Sequence, residues 1–268
     1  MADGTSSLAK GLALLTVLGS DEAVAGGGLT VMRIVALTGR EKSQVSRVLR
    51  VLADTGFVER DPDTLKYSLS WELFALAARA GDQRLLTAAP PLLAELVARL
   101  GETAHLSVSR GPGVLTLLSE QPPHSIRAAG WTGRRVPAHC TASGRALLLD
   151  ADLAALEALF GGGELERAAR NSPRTAAELH ERIVASRARG WAIVDEEFEP
   201  GLIAVAAPVR GMRGHIVAAV NVSAPRFRFA TRVEDAGPVI KRVADALSAR
   251  LGAPVAPLAG ISATPRSS

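Results

Sequence analysis

The chain has 268 residues, of which 47% are hydrophobic and 22% are charged, and its formal net charge is +4. This composition predicts one large or two modest packed domains, and the single cysteine, Cys140, excludes an internal disulfide framework. Because no apolar stretch reaches the roughly 18 residues of a membrane span, we expect a soluble, cytoplasmic protein with no membrane partner. Residues 1–80 contain nine Lys/Arg and nine Asp/Glu, so any nucleic-acid footprint must come from local clustering of charge.

The first 70 residues predict a set of helices followed by a β-hairpin. Leucines at helical spacing predict a first helix, and Thr30 is a suitable N-cap for a second helix over 31–38. A third helix follows over about 41–55, and each of these two helices ends at a glycine. The segments 57–60 and 65–69 flank an Asp-Pro-Asp turn and predict two short strands. Two closely joined helices and then a hairpin are the element order of a winged helix-turn-helix.

The third helix carries the residues that we expect to contact double-stranded DNA. Its apolar positions, Val45, Val48, Leu49 and Leu52, recur at helical spacing and predict the face that packs on the core. Five cations and one acid lie between Arg33 and Arg50, and arginine, glutamine and serine suit base edges and phosphates. The predicted DNA contacts are Arg40, Lys42, Ser43, Gln44, Ser46, Arg47 and Arg50, with Lys66 of the hairpin directed at phosphate. The alternative is that the polar face of the third helix and Lys66 are only solvated. The order of the elements, two helices and then a hairpin, favours DNA binding.

The remaining residues predict a second domain of mixed helices and strands. We expect domain 1–69, a linker helix over 70–84, a second domain over 85–252 and a disordered Ala/Pro/Ser-rich tail over 253–268. Strands are predicted at 103–109, 114–119, 191–196, 202–209 and 215–223. Helices are predicted at 143–149, 152–160, 175–189 and 232–251. The fold class expected from this mixture is α+β.

Four separated segments resemble the IclR family of bacterial transcription regulators. Residues 29–69 are similar to its winged helix-turn-helix, and VPAHCTASGRALL at 136–148 is similar to its most distinctive segment. GWAIVDEEFEPGLIAVAA at 190–207 and AVNVSAP at 219–225 match its two later motifs in order and spacing. The resemblance implies a C-terminal GAF-like sensor domain with a curved antiparallel sheet, which binds a small organic effector, often a carboxylic acid. It also implies a homodimer or a dimer of dimers that regulates transcription.

The resemblance also implies a set of effector-binding residues. They are Gly133, Arg134, Asp195, Ala204, Asn221 and Ser223. Two positions depart from the family pattern, since Val194 lies where many relatives carry an acid and Asn221 where serine is common. Asn221 and Ser223 share one strand face, and of the acidic run 195–197 we expect Asp195 to face the pocket and the other two carboxylates to be solvated.

Other interpretations of the sequence concern catalysis and metal binding. Adjacent residues on a strand point to opposite faces, so His139 and Cys140 predict no nucleophile–base pair, and the histidines show no metal-site spacing. We expect His105 to be a surface or sheet-face histidine rather than a ligand contact. No cofactor and no catalytic residue are therefore expected. Two alternatives stay open: an enzyme that uses the GAF-like pocket, and an architectural DNA-binding protein whose second domain only oligomerises.

Overall fold

The computed structural model describes residues 6–77, 83–123 and 131–254. The chain divides into two compact units between Gln83 and Arg84, so the segment 70–84, expected to be a linker, falls almost wholly in the first unit. The domain boundaries given above stay a prediction, and most of the expected tail lies outside the described residues. In the part of the chain that is described, no helix is long and apolar enough to cross a membrane.

The first unit is a winged helix-turn-helix. Its elements are α1 (Ser7–Leu18), α2 (Asp21–Ala25), α3 (Val31–Thr38), α4 (Lys42–Asp54), β1 (Val58–Arg60), β2 (Tyr67–Leu69) and α5 (Trp71–Ala77). The short α2 was missing from the sequence prediction because only one turn follows its cap at Ser20. Thr30 caps α3 as expected, its hydroxyl accepting from the Arg33 amide at 3.3 Å. Gly39, at φ +65°, then turns the chain into α4, so α3 and α4 are joined by a tight corner.

The core of this unit forms where the apolar faces of α1, α3 and α4 meet the hairpin. It contains Leu14, Leu18, Leu29, Ile34, Val45, Leu49, Val58 and Tyr67. β1 and β2 pair antiparallel, with Val58 opposite Leu69 and Arg60 opposite Tyr67. The Asp61 carboxylate closes the hairpin turn by accepting from the Thr64 amide at 2.7 Å. These contacts fix the orientation of α4 and leave its polar face outward.

The second unit is a six-stranded antiparallel sheet with helices on both faces. Its elements are α6 (Gln83–Leu100), β3 (Thr103–Arg110), β4 (Gly113–Glu120), β5 (Arg135–Pro137), α7 (Ala142–Leu147), α8 (Leu153–Phe160), α9 (Ala176–Arg189), β6 (Ala192–Asp195), β7 (Leu202–Arg210), β8 (Ile216–Pro225), α10 (Arg226–Phe229), a 3₁₀ turn (Ala230–Arg232) and α11 (Val233–Arg250). The strand order is β5-β4-β3-β8-β7-β6. The first and last strands of this unit, β3 and β8, thus pair with each other at the centre of the sheet. The strand β5 was not predicted, since three residues give too short a pattern.

The two faces of the sheet differ in side-chain size. One face, with Leu106, Val205 and Val220, packs on α6 and α11 in the main core. The other face carries Ala206 and Ala219, on which α7 rests through Ala142 and Ala146. The chain around α7 is also close-packed, since a Cβ at Gly144 would lie 2.1 Å from the Ala138 carbonyl oxygen. The small residues bring α7 close to the sheet at one end, and a cavity remains beside it.

Candidate functional site

The outer face of α4 presents cations that have no partner within the described part of the chain. Lys42, Arg47 and Arg50 are exposed, and Arg40 is half-buried in the turn before the helix. Among the described residues, none of these four side chains forms a hydrogen bond or an ion pair. Ser43 is exposed, while Gln44 and Ser46 are half-buried on the same helix. Val45 and Leu49 are fully buried on the opposite side, as the spacing predicted.

Two other cations of the first unit are engaged within the protein. Arg33 donates to both carboxylate oxygens of Glu22, at 2.6 and 2.9 Å, so it adds little to the positive field of the cluster. The Lys66 ammonium donates to the Gly26 carbonyl at 2.7 Å, which ties the hairpin to the loop after α2. The structure thus gives Lys66 a partner within the unit, and a phosphate contact by it stays a prediction.

The second unit contains a cavity of about 50 Å³ between α7 and the alanine-bearing face of the sheet. Asn221 and Ser223 line it from one face of β8, and Ala204 lines it from β7, so three of the six predicted effector residues come together here. The rest of the described lining is His105, Ser107, Thr116, Trp131, Val136, Thr141, Ala142, Ser143, Val194, Phe198 and Leu202. None of these side chains is a carboxylate, a lysine or an arginine.

Asp195 does not lie in the cavity, contrary to expectation. In the pairing of β6 with β7, Val194 is opposite Ala204 and Asp195 is opposite Ile203. Because successive side chains on a strand point to opposite faces, Val194 lines the cavity and Asp195 points away from it. The Asp195 carboxylate instead accepts from Arg226 Nε at 2.8 Å.

Gly133 and Arg134 lie beside the cavity and do not line it. The Gly133 amide donates to the Thr116 carbonyl at 2.8 Å, and the Thr116 amide donates to the Arg134 carbonyl at 3.1 Å. The Arg134 guanidinium lies over the Trp131 ring, 5.3 Å from its centroid. These two residues therefore hold Thr116 and Trp131, which are the side chains that reach the cavity.

His105 is a cavity residue that sequence reasoning placed on a surface or a sheet face. It lies on a sheet face, but only 4% of its surface is exposed, so the surface alternative is wrong. Its Nδ1 is 2.7 Å from Ser119 Oγ and its Nε2 is 3.1 Å from Ser223 Oγ. Burial lowers the pKa of His105 to about 4, so the imidazole is neutral near pH 7.

Two further aromatic side chains form one wall of the cavity. The Trp131 ring centroid lies 6.0 Å from that of His105 and 6.3 Å from that of Phe198, both in edge-to-face geometry. Neither Trp131 nor Phe198 was predicted, because each lies in a loop with no periodic pattern. Together the wall and the uncharged polar groups suit a small flat organic molecule.

A buried ion pair supports the loop that carries Phe198. Arg145 of α7 donates to the Glu197 carboxylate and, at 2.7 Å, to the Ile193 carbonyl, and its side chain is 3% exposed. Arg182 of α9 reaches the same carboxylate at 2.8 Å. The expectation that Glu197 is solvated is therefore wrong, since its side chain is buried between two helices and paired with two arginines.

His139 and Cys140 show no catalytic arrangement. His139 Nε2 is 2.8 Å from the Glu166 carbonyl oxygen. Cys140 is fully buried, and burial, reinforced by the Glu197 carboxylate, raises the pKa of its thiol to about 12. Within the described residues no group of three or more His, Cys, Asp or Glu side chains could hold a metal ion.

Comparison with known proteins identifies relatives over nearly the whole chain. The IclR helix-turn-helix domain matches residues 7–62, and the C-terminal domain of the bacterial transcriptional regulator IclR matches residues 78–249. The HTH-type transcriptional regulator BhcR of Paracoccus denitrificans is 35% identical over 205 residues, 75% of this chain and 72% of the relative.

Solved structures show the same architecture. An IclR transcriptional regulator from Alicyclobacillus acidocaldarius is 28% identical with a TM-score of 0.76, covering 92% of this chain and 98% of that one. An IclR homologue from Microbacterium hydrocarbonoxydans, complexed with 4-hydroxybenzoate, has the same fold with a TM-score of 0.78 at 22% identity, over 92% and 99% of the two chains. Since the two family models together span most of the sequence and both units have the corresponding folds, the chain belongs to the IclR family of transcriptional regulators with a DNA-binding helix-turn-helix.

Proposed function

We propose that this protein is an effector-controlled, sequence-specific regulator whose α4 enters the major groove of its operator. The observation that supports this most is the set of four cations on and beside α4 that have no protein partner among the described residues. Arg47 and Arg50 are exposed, while Gln44 and Ser46 lie on the same helix and can reach base edges. Charge without an internal partner is available to neutralise phosphates.

The ligand that we propose for the second unit is a small organic effector, of the carboxylic acid class. The cavity offers an aromatic wall and several neutral hydrogen-bonding groups, which is the usual composition of a small-molecule site. The relative from Microbacterium hydrocarbonoxydans was solved with 4-hydroxybenzoate, an aromatic carboxylate. The side chains of Ser107, Ser143 and Asn221 form no hydrogen bond with any described residue, so they are available to a ligand.

We further propose that the protein acts as a homodimer or a dimer of dimers. The first unit has an apolar groove between α1, α4 and α5, where Leu8 is 74% exposed and Leu12 and Val51 are each 56% exposed. Exposed apolar patches of this kind commonly pack against a partner. A second copy related by a two-fold axis would place two α4 helices on a pseudo-palindromic operator.

The two alternatives predict different properties. An architectural protein has no use for a cavity with polar groups, whereas the cavity here is built from side chains of all six strands of the sheet and of α7. An enzyme needs an activated nucleophile, and Ser223 does contact His105. However, the other ring nitrogen of His105 faces Ser119 rather than a carboxylate, and an imidazole with a pKa of about 4 is a weak general base at neutral pH.

The test combines DNA and ligand binding. Fragments selected from genomic DNA by the protein would serve as probes in fluorescence anisotropy, with Arg47→Ala and Arg50→Ala as variants. The control is Arg213→Ala, which removes an exposed arginine of the second unit. If the arginine contacts only phosphate, its loss should reduce the salt slope by about one, and if it contacts a base it should cost about 1–3 kcal/mol at one base pair.

Unchanged affinity in both α4 variants would contradict the proposed DNA interface. A melting-shift screen of small carboxylates and their neutral analogues tests the effector. A compound that raises the melting temperature and changes operator affinity supports regulation. Turnover of a compound would instead favour the enzyme, and a cavity that binds nothing would favour the architectural protein.

A further inference from the structure

The described lining of the cavity contains one side chain that can carry a positive charge, and this is His105. The remaining polar groups are serine and threonine hydroxyls, the Asn221 amide and the Trp131 indole N–H. An anion buried among neutral groups loses its hydration and needs a compensating charge or several donors. A carboxylate effector, as suggested under the proposed function, therefore has one candidate counter-charge in the described lining.

The contacts of His105 suit both of its protonation states. A neutral imidazole has one donor and one acceptor nitrogen, whereas an imidazolium has two donors. Here each nitrogen faces a serine hydroxyl, Ser119 Oγ at 2.7 Å and Ser223 Oγ at 3.1 Å. A hydroxyl rotates freely between donating and accepting, so both serines can accept from an imidazolium with no change in the backbone.

The charged groups on the elements packed around His105 are engaged elsewhere or lie outside the lining. At the start of β3, Glu102 pairs with Arg228 at 2.6 Å, and in the β6–β7 loop Glu197 pairs with Arg145 and Arg182. Arg110 and Glu120 are exposed strand-end residues, and Arg134 stacks on the outer Trp131. β8 contributes Asn221 and Ser223, neither of which is charged. Among the described residues, no carboxylate is placed to stabilise an imidazolium at this position.

We propose that His105 takes up a proton from solvent when a carboxylate enters the cavity, and that it thereby supplies the positive charge that the described lining lacks. This inference rests on the proposed binding of an organic acid. In the protonated state Nε2 donates to Ser223 Oγ, which leaves the Ser223 hydroxyl hydrogen to donate to the carboxylate. The anion then meets a charge-assisted pair of hydrogen bonds through Ser223, beside the amide of Asn221.

The low pKa of His105 agrees with this assignment. Burial alone lowers the pKa, to about 4, so the imidazole is neutral at physiological pH until an anion binds. An anion within reach raises the pKa of a histidine. Binding of an anion and uptake of one proton are then linked, and the affinity for the anion should rise about tenfold for each unit by which the pH is lowered, while the free site stays neutral.

Calorimetry on the full chain tests the proposal with benzoate as the anion and benzyl alcohol as its neutral analogue. Titrations in buffers of different ionisation enthalpy give the number of protons taken up on binding. We expect uptake approaching one proton for benzoate at about pH 6 to 7.5 and no uptake for benzyl alcohol. Benzoic acid itself titrates at lower pH, as other carboxylic acids do, so free benzoate is fully ionised in this range. Benzoate binding without proton uptake would overturn the proposal and would point to a permanent cation such as Arg134.

The variant His105→Gln keeps a hydrogen-bonding side chain and cannot be protonated. Its benzoate affinity should lose the pH dependence, whereas Arg134→Gln should keep it. Proton uptake that persists in His105→Gln would show that the proton lies on the ligand, and would overturn the proposal. Binding of benzyl alcohol but not of benzoate would also overturn it, while leaving a small-molecule effector possible. Binding of neither compound would count against this cavity as the effector site and hence against the proposed function as well. The wild-type measurement stands even if the variant does not fold.

Discussion

The outer face of α4 and the cavity of the second unit use charge in opposite ways. On α4, Arg47 and Arg50 are exposed and have no partner among the residues that the structure describes, whereas Glu197, behind the cavity lining, is paired with Arg145 and Arg182. DNA presents a regular array of phosphates, so exposed cations contribute binding energy that falls with salt. A buried site that holds unpaired charge would destabilise its own fold, so neutral groups are the stable way to build it. The salt concentration should therefore change the DNA affinity of the first unit, and the pH should change the stability and ligand affinity of the second.

The largest predicted loss of stability concerns the buried ion pair between Glu197 and Arg145 behind the cavity. Glu197→Gln removes the carboxylate and leaves the Arg145 guanidinium buried without its counter-charge, which should reduce the free energy of unfolding by about 3–5 kcal/mol. Urea denaturation followed by tryptophan fluorescence measures this. The control is Asp245→Asn, which breaks the exposed Lys241–Asp245 pair and should cost about 0.5 kcal/mol or less. Equal losses in the two variants would contradict the contrast between buried and exposed charge.

The second effect is the pH dependence of stability caused by His105. Its folded pKa of about 4 lies below the ordinary value near 6.5, so on acidification the unfolded chain binds the proton first. The contribution of the neutral imidazole is full above about pH 6.5 and is lost as the pH falls towards 4, by up to about 3 kcal/mol. The difference in unfolding free energy between wild type and His105→Gln should change by this amount across that window. A constant difference would mean that His105 is not buried as neutral imidazole.

A smaller effect is expected from the polar groups on β8. Asn221→Leu should weaken binding of the compound selected in the melting-shift screen by about 1–3 kcal/mol, because a ligand group would lose its partner. Calorimetry measures the affinity, and a melting curve checks that the variant is folded. Val217→Ala, on the same strand and partly exposed, is the matched control and should leave the affinity unchanged. If Asn221→Leu binds as well as wild type, the effector does not contact β8.

Almost no effect is expected at Cys140. Its thiol is buried and its pKa is raised to about 12, so the reactive thiolate is scarce at neutral pH. Iodoacetamide should alkylate it slowly in the folded protein and quickly in urea, as followed by mass spectrometry. Cys140→Ser should keep DNA binding and the response to the effector. Loss of that response with the fold intact would give the thiol a regulatory role.

The contrast also explains what could be predicted from the sequence. The polar face of α4 follows from a local rule, since helical spacing buries Val45 and Leu49 and so turns Arg47 and Arg50 outward. The cavity depends on pairing between distant strands. His105 meets Ser223 because β3 lies beside β8, 118 residues away in sequence. No local pattern contains that information.

The wrong placement of Asp195 has a related cause. Which of two adjacent residues lines a cavity depends on the register of the strand, and a shift by one residue exchanges the two faces. The pairing of Val194 with Ala204 shows that Val194, and not Asp195, faces the cavity. Glu197 was likewise misplaced because an acidic run near a turn is usually solvated, and its partners Arg145 and Arg182 lie on two different helices.

The alanines on the sheet face under α7 limit how such a cavity can change during evolution. Alanine has no side-chain rotamers, so Ala206 and Ala219 cannot readjust when a neighbour grows, and a larger residue there would lift the helix off the sheet. Gly144 fixes the helix from the other side. New ligand preferences should therefore arise by exchange of lining residues outside this packed cluster, such as the half-buried Leu202 and Val136. The contact between α7 and the sheet should therefore stay constant, while the half-buried residues of the lining can vary.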